Sequence, residues 1–151
     1  MLDDASQRQI PKDFVGLHVA QAGAICYRRN VKGSLEVLLV GSRRNGQWGV
    51  PKGHVESRES SSAAALREAF EEAGVIGDVD GTPAGSFSYQ RDSSTNRYTV
   101  TVHLLKVSRI ATEFPEMRLR KTQWFLLEDA IREAAQPGLR ALLSRLETVD
   151  V

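Results

Sequence analysis

Three carboxylates set the chemistry that this chain could perform. Glu68, Glu71 and Glu72 fall at i, i+3 and i+4 within the run ALREAFEEAG. At about 100° per residue they share one side of an α-helix. Leu66, Ala69, Phe70 and Ala73 recur with the same period and make an apolar face on the other side. Like charges at i and i+4 repel by a few tenths of a kcal/mol on an exposed helix, and more in a cleft of lower dielectric. A divalent cation reverses that sign. Oxygen-only ligands suit Mg²⁺ or Mn²⁺, which keep several waters and share their coordination with substrate phosphates. For a bare E-x-x-E-E, the plainer reading is a solvated acidic helix face, and the spacing alone favours it.

The elements that must position these carboxylates follow from the flanking sequence. Ser60, Ser61 and Ser62 supply N-cap residues, and Gly74 follows the last periodic residue as a C-cap, so a helix is expected from about residue 60 to 73. Residues 19–27 alternate small and apolar side chains, and residues 36–40 form a continuous apolar run; they read as two strands joined by a turn around Gly33. Residues 86–91 and 97–107 alternate with period two and are expected to form a second hairpin, turning at 92–96. A short strand is possible near Val79. Residues 108–121 read as a loop. Residues 122–126 read as a strand, followed by helices at 127–135 and 139–146 separated by Pro137-Gly138, the last with a stripe of Leu139, Leu142, Leu143 and Leu146. This pattern predicts an α/β layered fold.

Upstream residues change the weight of the acidic face. Gly53, five residues, Glu59, seven residues, then Arg67-Glu68-Ala69-x-Glu71-Glu72-x-Gly74-Val75 resembles the full signature of the Nudix hydrolases. Ala69 stands where that family usually has a larger aliphatic residue. The resemblance implies an α/β/α sandwich with a mixed curved sheet. It also implies a Mg²⁺ or Mn²⁺ site at Glu68, Glu71 and Glu72, with the Gly53 carbonyl as a further ligand. Arg67 would orient the carboxylates by ion pairing, and Glu59 would be its partner at the helix start. The general base stays open between a signature glutamate and the loop residues Glu113 and Glu116.

The lead-in from Trp48 to Glu56, WGVPKGHVE, looks like that of the asymmetric diadenosine tetraphosphate hydrolases. The hairpin, the Arg120-Lys121 pair and the Trp124-Phe125-x-x-Glu128-Asp129-Ala130 ending look like the diphosphoinositol polyphosphate phosphohydrolases. Gln21 and the PKG lead-in depart from that second group, which commonly has a basic residue and PGG. The expected substrate is therefore a small-molecule polyphosphate, foremost a dinucleoside polyphosphate. The other readings are a diphosphoinositol polyphosphate, an RNA 5′ end, or a non-catalytic nucleotide sensor, which would be expected to have lost signature carboxylates. Arg43, Arg44, Lys52, Arg120 and Lys121 are the candidates for holding phosphates; each alone is an ordinary surface cation. Gly41 and Gly46 suggest a P-loop, but Gln47 and Trp48 stand where that motif needs Lys and Ser or Thr.

Composition frames the rest. A chain of 151 residues, 41% hydrophobic and 26% charged, can bury one core. A polar arm at 1–16 and one domain at 17–151 are expected, as a monomer or homodimer. The net charge of +1 draws no polyanion by itself, and no basic stripe interleaved with aromatic residues marks a nucleic-acid surface. Cys26 is the one cysteine, so no intrachain disulfide can form. The N-terminus lacks a secretory pattern and no apolar run is long enough to span a bilayer, so a cytoplasmic location without membrane contact is expected. His18, His54 and His103 lack zinc-ligand spacing, and His103 reads as a satisfied strand residue.

Overall fold

The long strand β1 (His18–Arg29) and the longer β7 (Arg97–Ile110) lie side by side in parallel, with Gln21 beside Val100 and Tyr27 beside Lys106. In the computed structural model, which describes residues 16–91 and 95–148, this pair is the centre of an eight-stranded mixed sheet. The other edge of β1 is shared by two strands. β2 (Leu35–Gly41) pairs with its second half and β4 (Lys52–His54) with its first, both antiparallel. The far edge of β7 is divided in the same way between β6 (Gly85–Gln90) and β5 (Val75–Val79). β8 (Thr122–Leu126) and the two-residue β3 (Trp48–Gly49) pair with β2.

Helices cover both faces, as the alternation of side chains along the strands requires. Ala22, Ala24 and Cys26 of β1 and Leu38 and Val40 of β2 face α1 (Ser61–Ala73). Ile25, Val37 and Leu39 face α2 (Leu127–Glu133) and α3 (Pro137–Arg145), where the leucine stripe is core packing. This is the expected α/β/α layering. Ser60 caps α1 by accepting the Ala63 N–H at 3.1 Å. Gly74 ends it in the left-handed region at φ 70°, with the Phe114 ring packed where a Cβ would project.

Several local expectations need correction. The buried side of α1 is Ala64, Ala65, Glu68, Ala69, Glu72 and Ala73; Leu66 and Phe70 are half-buried. The strand surface opposite is built of Ala22 and Ala24, so the helix approaches on its smallest side chains, and two of the three glutamates turn inward with them. Residues 48–54 carry two short strands where none was expected, and β7 runs on to Ile110. Pro137 opens α3 instead of preceding it, a position where its missing N–H costs nothing. α2 ends at Glu133. The expected arm lies outside the described residues up to 15, as do residues 92–94 of the hairpin turn.

Candidate active site

The acidic side of α1 meets β4 at Gly53. A Cβ at this position would overlap the Glu68 carboxylate, so only glycine lets the helix carboxylate reach the strand backbone. Glu68 and Glu72 are 9% and 5% exposed, while Glu71 is partly open. Buried carboxylates persist only when paired, and two arginines provide the pairing.

Arg67 holds the first half of the cluster. Its Nε and Nη2 donate to the two Glu59 oxygens at 2.8 and 2.9 Å, a bidentate fork. Nη2 also donates to the His54 carbonyl at 3.0 Å, and Nη1 to Glu68 at 2.9 Å and Glu71 at 3.5 Å. One guanidinium thus ties β4, the loop before α1 and two helix carboxylates together. The fork holds the Glu59 carboxyl at about 2, helped by the Glu56 N–H, and raises Arg67 above its ordinary value.

Arg120 holds the second half. Its guanidinium lies 3.5 Å from Glu72 and 3.0 Å from Glu116. The loop that carries it is pinned to the end of α1 by the Ala111 N–H on the Gly74 carbonyl and the Glu116 N–H on the Glu71 carbonyl. Glu113, from the same loop, is exposed. Burial pushes the Glu72 carboxyl up to about 8; Arg120 and Lys52 oppose that rise, and Glu68 and Glu116 add to it.

Beside Glu72 opens a cleft of about 590 Å³ lined by Arg43, Arg44, Lys52, Arg91 and Arg120. Four of these five cations were expected there. Lys121 is not among its lining residues: its ammonium lies over the Trp48 ring, 5.4 Å from the centroid. Arg91, Tyr89 and Gln21 line the cleft without having been singled out as ligands. Gln21 is brought there by the pairing of β1 with the distant β7, and Tyr89 and Arg91 lie at the end of β6 and just after it. His103 is fully buried, with Nδ1 donating to the Asp80 carbonyl at 2.8 Å and Nε2 hydrogen-bonded to the Ser61 hydroxyl at 2.7 Å, a structural role.

Whether these residues suit a hard cation is decided by the donor set. Among the described residues no three His, Cys, Asp or Glu side chains already converge on one point, because Arg67 and Arg120 hold the carboxylates. The set itself fits. Glu68 and Glu72 are buried side by side on one helix face, Glu71 borders them, and the Gly53 backbone is laid open against Glu68. All are oxygen donors, as a hard cation requires.

Residues 19–146 match the model of the NUDIX domain. The chain belongs to the Nudix family. Among curated relatives, diphosphoinositol polyphosphate phosphohydrolase 3-beta of Bos taurus is 38% identical over 115 residues, covering 74% of this chain and 66% of that one. Diphosphoinositol polyphosphate phosphohydrolase 2 of Rattus norvegicus is 38% identical over 132 residues, covering 84% and 70%. The chain thus spans about two thirds of the length of these relatives. A solved C. elegans Ap4A hydrolase is 26% identical with a TM-score of 0.63, covering 86% of this chain and 96% of that one. A Nudix hydrolase from Alicyclobacillus acidocaldarius, 14% identical with a TM-score of 0.69 over 89% and 93% of the two chains, shares the fold.

Proposed function

We propose that the chain is a pyrophosphohydrolase that cleaves a phosphoanhydride bond in a dinucleoside polyphosphate, with Mg²⁺ or Mn²⁺ held by Glu68, Glu71, Glu72 and the Gly53 carbonyl. The observation that carries this reading is the set of five cations that line one cleft together with Glu72. A polyphosphate is a small molecule whose charge such a set matches. Trp48 lines the same cleft, and its indole is the aromatic group that this reading assigns to a base, which a cyclitol lacks. When bound, the cation would neutralise phosphate charge and lower the pKa of a bound water. Arg67 positions Glu68 and Glu71 for ligation. Arg43, Arg44 and Arg91 hold the phosphate chain in line, and Glu116, paired with Arg120 at 3.0 Å, is the loop carboxylate that this reading favours over the exposed Glu113.

A second reading, a diphosphoinositol polyphosphate as substrate, is favoured by the 38% identity to relatives of that name. The two differ in what the cleft must grip. In Arg43→Ala, Arg44→Ala and Arg91→Ala, the KM should rise by roughly tenfold to a hundredfold for each charge-assisted hydrogen bond removed. The penalty should grow along the series from a nucleoside diphosphate sugar to diadenosine tri-, tetra- and pentaphosphate. Lys121→Ala, whose ammonium lies over Trp48, should show no such trend. Equal penalties for every substrate would mark the arginines as solvated surface charges.

A further inference from the structure

The junction between α2 and α3 forms the part of the cleft wall that is joined to Trp48. Ala134 pairs with Trp48 as a parallel β-bridge, and the Ala135 N–H donates to the Trp48 carbonyl at 3.0 Å. Arg140 ties the junction from the α3 side, where its Nη1 donates to the Ala134 and Ala135 carbonyls at 2.8 and 3.0 Å. The indole is held as well, edge-on to Phe125 with ring centroids 5.2 Å apart. Ala135 and Gln136 line the cleft on this wall, so the half-buried Gln136 stands on a backbone braced against Trp48.

Gln136 occupies the N-cap position of α3, yet its side chain makes no cap hydrogen bond. Serine, threonine, asparagine or aspartate there would accept a helix N–H. Pro137 behind it favours the extended backbone found at φ −88° and ψ 126°. Among the described residues the Gln136 amide has no hydrogen-bond partner in the protein. Three other amides line the cleft, and each has its oxygen engaged: Gln21 by the Tyr89 hydroxyl at 2.8 Å, Asn45 by the Gln47 N–H at 3.0 Å, and Gln47 by the Asn45 amide at 3.3 Å. Gln136 is the cleft amide that keeps donor and acceptor both open.

An open amide presents an N–H donor beside an oxygen acceptor. Adenine returns that pattern, since its exocyclic amine lies beside a ring-nitrogen acceptor and glutamine pairs with both at once. Phosphate oxygens only accept, so they use half of such a group, and the cations of the cleft serve them better. We propose that Gln136 is a specificity-determining residue that pairs with the adenine edge of a nucleotide substrate whose base lies against Trp48. This deepens the functional reading given above and rests on it.

Gln136→Ser sets the contact against a structural role, because serine can cap α3. Its melting temperature should equal or exceed that of the wild type, while kcat/KM for diadenosine tetraphosphate falls by roughly ten- to a hundredfold, mostly through KM. Binding with the metal chelated, so that nothing is cleaved, isolates the amide. The wild type should bind ATP roughly tenfold or more tightly than purine riboside triphosphate, which lacks only the exocyclic amine. Gln136→Ser should bind these two alike, and both proteins should bind inorganic tripolyphosphate equally. Equal affinity of the wild type for the two nucleotides, or a preference that survives in Gln136→Ser, would overturn the proposal. Cleavage of a diphosphoinositol polyphosphate alone would remove the wider reading; the adenine preference and its loss in Gln136→Ser would still establish the contact, and their absence would remove it.

Discussion

Glu72→Gln should lower kcat by about three orders of magnitude while the metal-free protein melts no lower than the wild type. Loss of metal-held charge stabilisation is worth several kcal/mol, and about 4 kcal/mol corresponds to a thousandfold in rate. The stability side follows from burial. Glu72 sits at the centre of the packed side of α1, and its carboxyl is raised from the ordinary 4.5 to about 8. A carboxyl raised in the folded state keeps a proton that the unfolded chain releases, so its contribution falls as pH rises from 4.5 to about 8. Glutamine cannot ionise and should flatten that decline. The same group makes metal binding proton-linked: wild-type Mg²⁺ affinity should rise as pH passes upward through about 8, with release of a proton on binding, and Glu72→Gln should abolish that release. Calorimetry in buffers of different ionisation enthalpy measures the proton directly. Wild-type kcat in the variant would contradict the assignment.

Arg67→Ala should damage both the fold and the chemistry, and Arg67→Lys should separate the two. Alanine leaves Glu59, Glu68 and Glu71 without the fork that holds them. The melting temperature should drop by several degrees and kcat by at least a hundredfold, since breaking a paired network leaves charge uncompensated. Lysine keeps the charge but presents one ammonium where four acceptor groups are now bridged. It should recover most of the stability and little of the activity, with weaker Mg²⁺ binding and a KM close to the wild type. Full recovery of kcat by lysine would reduce Arg67 to a source of charge.

How much of this was legible depends on how local each feature is. The spacing from Gly53 to Val75 placed the carboxylates, Arg67 and Glu59 on one helix and its approach, and both hairpins were readable from period-two alternation with their turns. The orientation of α1 was half readable. Ala69 and Ala73 are buried and Leu66 packs against the same core, as the period indicates, but the small Ala22 and Ala24 let the helix come close on its alanines, which buries Ala64 and Ala65 with Glu68 and Glu72. The cleft was half legible: Arg43, Arg44 and Lys52 lie near the signature in sequence, whereas Gln21, Tyr89 and Arg91 meet only through the parallel pairing of β1 with β7 and the pairing of β6 with β7. Lys121 is adjacent to Arg120 in sequence; its backbone is fixed on Gly41 and its side chain runs over Trp48, which lines the cleft.

Hydrolysis of diadenosine tetraphosphate by the purified chain with Mg²⁺ in ¹⁸O-labelled water tests the central claim most directly. Metal-dependent cleavage into a mono- and a triphosphate is expected, with label in only one of the two, because of the four proposed ligands only Glu72 lines the phosphate-holding cleft, so the cation site borders that cleft and does not span it. Two equal diphosphate products, or a rate unaffected by chelation of the metal, would contradict it.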